Sequence, residues 1–268
     1  MAHSVLLVGC GNMGFAMLKG WLAQDSGLQA YVVEPAEALR VRAAEAGAQT
    51  VEKASDLPED LTPDLTFLAV KPQVMGAVVP EYAHLADGKT TFVSVAAGTM
   101  MDSLAAMLPG STPLIRCMPN TPAAIGVGMM VCCANDHASD TAKALASKLL
   151  AASGQVEWID DEALMDAVTA LSGSGPAYVF HLIEAMGKAG AELGLPAELA
   201  AKMAMQTVMG AGKLAAKSDT PPGTLREQVT SPGGTTAAAL SVLMQRLTPL
   251  MTEAMTAARD RGVELGKG

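Results

Sequence analysis

The sequence predicts an α/β protein in two parts: a Rossmann-like doubly wound sheet over residues 1–159 and an all-α C-terminal domain over residues 160–268. Three observations lead there. A glycine-rich hexad, Gly9-Cys10-Gly11-Asn12-Met13-Gly14, stands between a short apolar run and a helical pattern. Apolar, strand-like runs then alternate with helical stretches as far as Trp158. From Asp160-Asp161-Glu162 onward strand patterns stop and helices take over, opening on acidic residues that complement a helix N-terminus.

The first strand is 5–8, ending at Val8, and the first helical pattern is 15–22. A strand, a G-x-G-x-x-G turn and a helix form a dinucleotide-binding beginning. The first glycine allows the tight turn, the second lets a pyrophosphate approach the backbone, and the third lets helix and strand pack closely. The second strand, 31–33, runs into Glu34, about 20 residues further on, where an acid accepts bonds from both ribose hydroxyls. Further strands are expected at 65–70, 91–95, 114–118, 128–133 and 155–158, in a mostly parallel sheet with helices on both faces. Ligands of such sheets collect at the carboxyl ends of the strands. The candidate cleft residues are therefore 9–14, Glu34-Pro35, Ala69-Val70-Lys71-Pro72, Ala96-Ala97-Gly98 and Pro119-Asn120-Thr121-Pro122.

Helical segments follow at 162–171, 177–193, 196–216, 222–229 and 235–261, punctuated by Gly194, Ser218 and Ser231-Pro232. In Ser231-Pro232-Gly233-Gly234-Thr235-Thr236 a helix start meets bare backbone: Ser231 suits the N-cap and Pro232 the first helical position. Gly233 and Gly234 would let a small carboxylate reach the unpaired N–H groups, where the helix dipole favours an anion. The other reading of this stretch is a capped helix after a Gly-rich turn. Ala-, Met- and Gly-rich faces at 203–211 and 237–255 exceed what a lone hairpin buries, so a subunit interface is expected rather than an intramolecular core.

Composition narrows the classes. With 268 residues there is length for two domains and ample core. Half of the residues are hydrophobic but only 3% aromatic, with 18 Met, which suits packed helices. A formal net charge of −9, no Lys/Arg run and few aromatics argue against nucleic-acid binding. No basic region precedes the first apolar run, which glycine interrupts, and no stretch of about 18 to 20 apolar residues occurs. A cytoplasmic protein without a signal peptide or membrane span is expected. Cys10, Cys117, Cys132 and Cys133 lack metal-site spacing and read as small core residues in a reducing compartment; no metal is expected.

Taken together, 9–14 with Asn12-Met13, 69–72, 95–98, 116–122, Ser172-Gly173-Ser174-Gly175-Pro176-Ala177-Tyr178 and 231–236 resemble pyrroline-5-carboxylate reductase, essentially end to end. The resemblance implies hydride transfer from NADH or NADPH to the C=N carbon of 1-pyrroline-5-carboxylate, giving L-proline in the last step of proline synthesis. It also implies a helical dimerisation domain that interlocks two subunits, often within a ring of dimers. By the family pattern the substrate carboxylate sits on the N–H groups of Gly234, Thr235 and Thr236 with the Ser231 hydroxyl, and the Thr236 hydroxyl bonds the ring nitrogen. The pattern places Val8, Gly9, Gly11, Asn12, Met13, Gly14, Ala69, Val70, Lys71, Pro72, Ala96 and Ala97 against the cofactor; the other reading of Lys71-Pro72 is a turn that only ends its strand. Glu162 matches a position near the substrate, or is an ordinary acid at a helix start. Asn120 either caps a Pro-rich turn or lines the cleft. The small residues 172–176 pack helices, admit nicotinamide and substrate, or do both. His181 and Lys188 receive no role.

The chemistry agrees with the resemblance. A protonated imine is already a good electrophile, so orientation matters more than a strong acid, and the chain carries no His/Asp pair, nucleophile elbow or metal cluster. Glu34-Pro35 departs from family members that take the phosphorylated cofactor, because Glu34 repels a 2′-phosphate; NADH is expected to be preferred. Arg40 and Arg42, on the next helix, are the nearest cations. A 3-hydroxy-acid dehydrogenase of the same plan would place a Lys shortly after the Gly-rich segment, where this chain has Pro176-Ala177-Tyr178-Val179-Phe180-His181. A reductase of six-membered imines and a nucleotide-binding sensor without catalysis are the remaining alternatives.

Overall fold

The structure, a computed structural model, describes residues 3–86 and 88–266. Eight strands form one sheet: β1 (Ser4–Val8), β2 (Gln29–Val33), β3 (Gln49–Val51), β4 (Leu65–Leu68), β5 (Thr91–Ser94), β6 (Leu114–Met118), β7 (Gly128–Ala134) and β8 (Gly154–Trp158), in the order 3-2-1-4-5-6-7-8. All neighbours are parallel except β6 and β7, which pair antiparallel with Cys117 opposite Cys132. Seven of these strands lie where apolar runs predict them. The eighth, β3, is a three-residue edge strand with no apolar run; its partner β2 supplies the pairing.

The helices of the first part are α1 (Asn12–Gln24), α2 (Glu37–Glu45), α3 (Met75–Val78), α4 (Met101–Met107), α5 (Asp140–Leu150) and α6 (Met165–Val168). Alternation along the strands sorts the core into two layers. Val5, Leu7, Phe67 and Ile115 pack with Met17, Leu18 and Trp21 of α1 and with Leu145 and Leu149 of α5. Leu6, Val8, Leu68 and Phe92 pack with Met75, Val79 and Tyr82 and with Leu104 of α4. The strands at the centre are buried on both faces, which is why they read as continuous apolar runs.

Four longer or later helices follow: α7 (Gly175–Glu192), α8 (Ala197–Ala216), α9 (Pro222–Gln228) and α10 (Thr235–Leu265). The chain divides into two compact units, Met1–Gly173 with Ala258–Gly268, and Ser174–Ala257. The division thus falls beyond residue 159, because Glu162 and its neighbours are bonded to the sheet unit. A continuous helix over 162–171 does not form. A 3-10 turn (Glu162–Leu164), α6 and a π turn (Thr169–Gly173) replace it.

Within the second unit α7 and α8 pack closely. A Cβ added at Gly190 would stand 3.2 Å from the Ala200 Cβ, and one at Gly187 would stand 3.5 Å from the Ala201 Cα. Ala200 and Ala204 are the fully buried residues among those described in this unit, while Leu243, Met244, Leu247 and Leu250 of α10 stay exposed. The apolar faces noticed in the sequence are therefore not consumed by an intramolecular core.

Candidate active site

The sheet order places β1 between β2 and β4, so connections leave β1 and β4 in opposite directions at their carboxyl ends. Such a switch point is where open α/β sheets bind ligands. The turn after β1 carries Gly9–Gly14, and the turn after β4 carries Ala69–Pro72. They touch: the Ala69 N–H donates to the Val8 carbonyl (2.8 Å), and a Cβ at Gly9 would lie 2.8 Å from Val70 Cγ1. Gly9 has φ +87°, where only glycine is unstrained, and its N–H donates to the Val33 carbonyl (2.8 Å). A Cβ at Gly14 would drive into the Gly9 carbonyl oxygen, so this glycine serves helix–strand contact. Gly11 is different. A Cβ there meets nothing within 4 Å, and Gly11 immediately precedes α1. Open space beside the N-terminus of a 13-residue helix is what a pyrophosphate requires, and the residues present fit a dinucleotide.

Asn12 and Lys71-Pro72 lie exposed, Met13 is half-buried, and Ala97 is exposed in the turn after β5 beside buried Ala96. Lys71 precedes a short 3-10 turn that Pro72 opens. Glu34 does stand at the end of β2, but it is only 7% exposed, and both its oxygens accept main-chain N–H groups: Oε2 from Cys10 (2.7 Å) and Oε1 from Ala36 (2.9 Å). Sequence reasoning missed this tie between Glu34 and the glycine-rich turn. Both arginines reach back. Arg42 Nη2 donates to the Cys10 carbonyl (2.9 Å) with its guanidinium 4.0 Å from the centre of the Phe15 ring, and Arg40 Nη1 donates to the carbonyls of Glu34 (2.8 Å) and Pro35 (2.6 Å). Burial, the largest influence, raises the Cys10 thiol from 9.0 to about 11.

Arg116 and Glu162 form a buried ion pair. Arg116 Nη1 donates to Glu162 Oε1 at 2.8 Å, and the same oxygen accepts the Met101 N–H at 2.9 Å. A charge inside the apolar run of β6 was the available signal for such a partner. Cys133, opposite Arg116 in the ladder, has its thiol pushed up to about 12, first by burial and then by the Glu162 carboxylate. Asn120 does more than close its turn. Nδ2 donates to the Ser172 carbonyl (3.2 Å) and faces its hydroxyl (3.3 Å), while Oδ1 accepts the Met129 N–H (2.9 Å). It thereby holds the π turn that leads into Ser174-Gly175.

In the second unit the segment 231–236 departs from expectation at its start. Ser231 is not an N-cap and Pro232 is not helical: α10 begins at Thr235. Ser231 to Gly234 form a β-turn closed by the Gly234 N–H on the Ser231 carbonyl (3.0 Å), with Gly233 at φ +69°. Proline followed by a left-handed glycine is the preference of a type II turn, and that preference wins over helix extension. The Gly234 N–H is accordingly spent on the turn, and the Gly234 carbonyl accepts the first helical bond from Ala238 (3.2 Å). The N–H groups of Thr235 and Thr236 are in the first helical turn, where no intrahelical acceptor exists.

A glycine-lined switch point at the head of a parallel sheet, followed by a helical region, defines the class as an NAD(P)-dependent oxidoreductase. A family model described as NADP oxidoreductase, coenzyme F420-dependent, matches residues 4–98, and one described as pyrroline-5-carboxylate reductase dimerisation matches residues 162–265. The pyrroline-5-carboxylate reductase of Pseudomonas aeruginosa is 40% identical over 98% of this chain and 97% of its own. A solved pyrroline-5-carboxylate reductase from Coxiella burnetii superposes with a TM-score of 0.94 at 32% identity, covering all of both chains. That from Plasmodium falciparum, solved with NADP bound, does so with a TM-score of 0.81 at 28% identity over 98% of each. The chain belongs to the pyrroline-5-carboxylate reductase family, and its activity is NAD(P)H-dependent reduction of a C=N bond.

Proposed function

We propose that the chain reduces 1-pyrroline-5-carboxylate to L-proline with the roles divided between its two glycine-rich segments. The observation that carries the substrate half is the turn 231–234 running directly into α10. It offers the N–H groups of Thr235 and Thr236 and the Ser231 hydroxyl to the substrate carboxylate, with the bare backbone of Gly233 and Gly234 keeping the approach open. Charge-assisted bonds of this kind are each worth about 1.5–3 kcal/mol. Repulsion from the net charge of −9 is diffuse and screened beyond about 8 Å, so the local site prevails. The Thr236 hydroxyl bonds the ring nitrogen and keeps the imine aligned as that nitrogen becomes an amine.

On the cofactor side, Val8 and Gly9 to Gly14 hold the pyrophosphate, with Gly11 giving the close approach and Asn12-Met13 flanking it. Ala69 to Pro72 and Ala96-Ala97 line the remaining length. When bound, the reduced nicotinamide supplies the hydride. NADH is the preferred form because a buried carboxylate at Glu34 opposes a 2′-phosphate, while Arg40 and Arg42 are engaged with main-chain carbonyls. The exposed apolar stripe of α10 is the dimer face, and dimers assemble further into a ring. No described helix is long and apolar enough to cross a membrane, and we place the enzyme in the cytoplasm.

The test is oxidation of NADH, then NADPH, followed at the nicotinamide absorbance with 1-pyrroline-5-carboxylate for the wild type and Thr236→Ala. Turnover that falls at least about tenfold in the variant, the loss of one aligned bond, supports the assignment. Equal turnover in the variant would move the ring-nitrogen contact elsewhere, and a higher specificity constant with NADPH would reject the NADH preference.

A further inference from the structure

The Arg116–Glu162 pair is the most deeply buried ion pair among the described residues, with side-chain exposures of 3% and 17%. Its geometry is specific. One oxygen, Glu162 Oε1, takes both Arg116 Nη1 at 2.8 Å and the Met101 N–H at 2.9 Å. Met101 opens α4, and the residue before it, Met100, caps the helix with no side-chain oxygen. Glu162 therefore supplies the missing acceptor from a distant point of the chain, and Arg116 holds the carboxylate in place. Arg116 Nη1 also lies 3.2 Å from Met100 Sδ.

The stretch 95–100 links β5 to α4. Its first residue is fixed by the Val95 N–H on the Leu68 carbonyl (3.1 Å), and Arg116 pairs with Ser94 in the ladder. Its far end is fixed by Glu162. Between them sit Ala96 and Ala97, which we propose face the cofactor. A buried ion pair is poor value as a source of stability, since apolar side chains of similar volume do as well or better. What it does supply is a fixed position, and hydride transfer loses rate steeply when reacting atoms are displaced by an ångström.

We infer that Arg116 is a positioning residue for hydride transfer: acting through Glu162, it sets the loop 95–100 against which the nicotinamide is oriented. This rests on the reductase reading above, and it reassigns Glu162 from substrate contact to support of that loop.

The experiment compares wild type, Arg116→Met, Arg116→Lys and Glu162→Gln, with 1-pyrroline-5-carboxylate and a nicotinamide deuterated at the transferred position. For folded Arg116→Met we expect kcat to fall about tenfold or more with little change in cofactor affinity, and the deuterium isotope effect on kcat to rise as the hydride step becomes limiting. Arg116→Lys should recover part of the rate, and Glu162→Gln should fall between. Amide exchange at 95–100 should speed up in Arg116→Met while β5 stays protected. A loss of kcat that only tracks the loss of folded protein, with KM and isotope effect unchanged, would overturn the proposal and leave a structural pair. If Arg116→Met does not fold, Glu162→Gln carries the same readouts. Absence of turnover in the wild type would instead overturn the reductase reading; the exchange of 95–100 would still decide whether Arg116 holds the loop.

Discussion

The Glu34 carboxylate accepts the Cys10 amide N–H at 2.7 Å, so the end of β2 is tied to the glycine-rich turn that follows β1. Glu34 thus anchors the glycine-rich turn, and in the proposed reading the same carboxylate also opposes a 2′-phosphate. Glu34→Ala strands the N–H groups of Cys10 and Ala36, at a cost of about 1–3 kcal/mol in denaturant unfolding. It should also shift the ratio of specificity constants toward NADPH by about tenfold or more, since the opposing charge is removed. A destabilised variant with an unchanged ratio would assign Glu34 to the turn alone.

The three glycines of the hexad predict contrasting variants. Gly11→Ala places its methyl in open space, so the melting temperature should hold while cofactor affinity, read by nicotinamide fluorescence, weakens about tenfold or more. Gly14→Ala forces a methyl onto the Gly9 carbonyl oxygen and should lower stability by about 1–3 kcal/mol before any ligand is added. Gly9→Ala combines a clash at Val70 with φ +87° and should be the least stable of the three.

Gly233 lies at φ +69°, which costs an alanine about 1–2 kcal/mol. If Gly233→Ala relieves that strain by moving the turn, KM for the imine carboxylate should rise by up to about tenfold while kcat changes less, the reverse of the Thr236→Ala pattern. Steady-state kinetics at saturating cofactor separate the two.

Stability should decline in alkali through buried thiols. Cys10 rises from 9.0 to about 11 and Cys133 from 9.0 to about 12, chiefly by burial. Their neutral forms are favoured in the folded chain, so the stabilisation is complete below pH 9 and is lost as pH climbs toward 11 and 12, because the unfolded chain releases these protons first. Denaturant midpoints measured from pH 8 upward should fall less steeply for Cys10→Ala and Cys133→Ala than for wild type.

Leu243, Leu247 and Leu250 form a stripe at helical spacing along α10, each more than two-fifths exposed. Leu247→Glu sets a charge into that stripe and should weaken self-association by more than about 2 kcal/mol, seen as a fall in mass by sedimentation at micromolar concentration. An unchanged mass would place the dimer face elsewhere.

The doubly wound sheet was legible because its signals are local: apolar runs of strand length, a glycine hexad between β1 and α1, and helical periodicity after Asp160. Family motifs at 172–178 and 231–236 identified the enzyme on the same basis, since residue type and order survive without any fold. Three features were not legible. β3 exists because β2 offers it an edge, although Gln49–Val51 carries no apolar pattern. Ser231-Pro232 looked like a helix start, but a turn with Gly233 in the left-handed region competed for the same residues, and only the folded backbone settles that contest. Arg116 with Glu162, and Cys10 with Glu34, join residues far apart in the chain. No periodicity encodes such pairs; they arise when packing excludes water and each buried charge or carboxylate must take the donor that tertiary structure brings within reach.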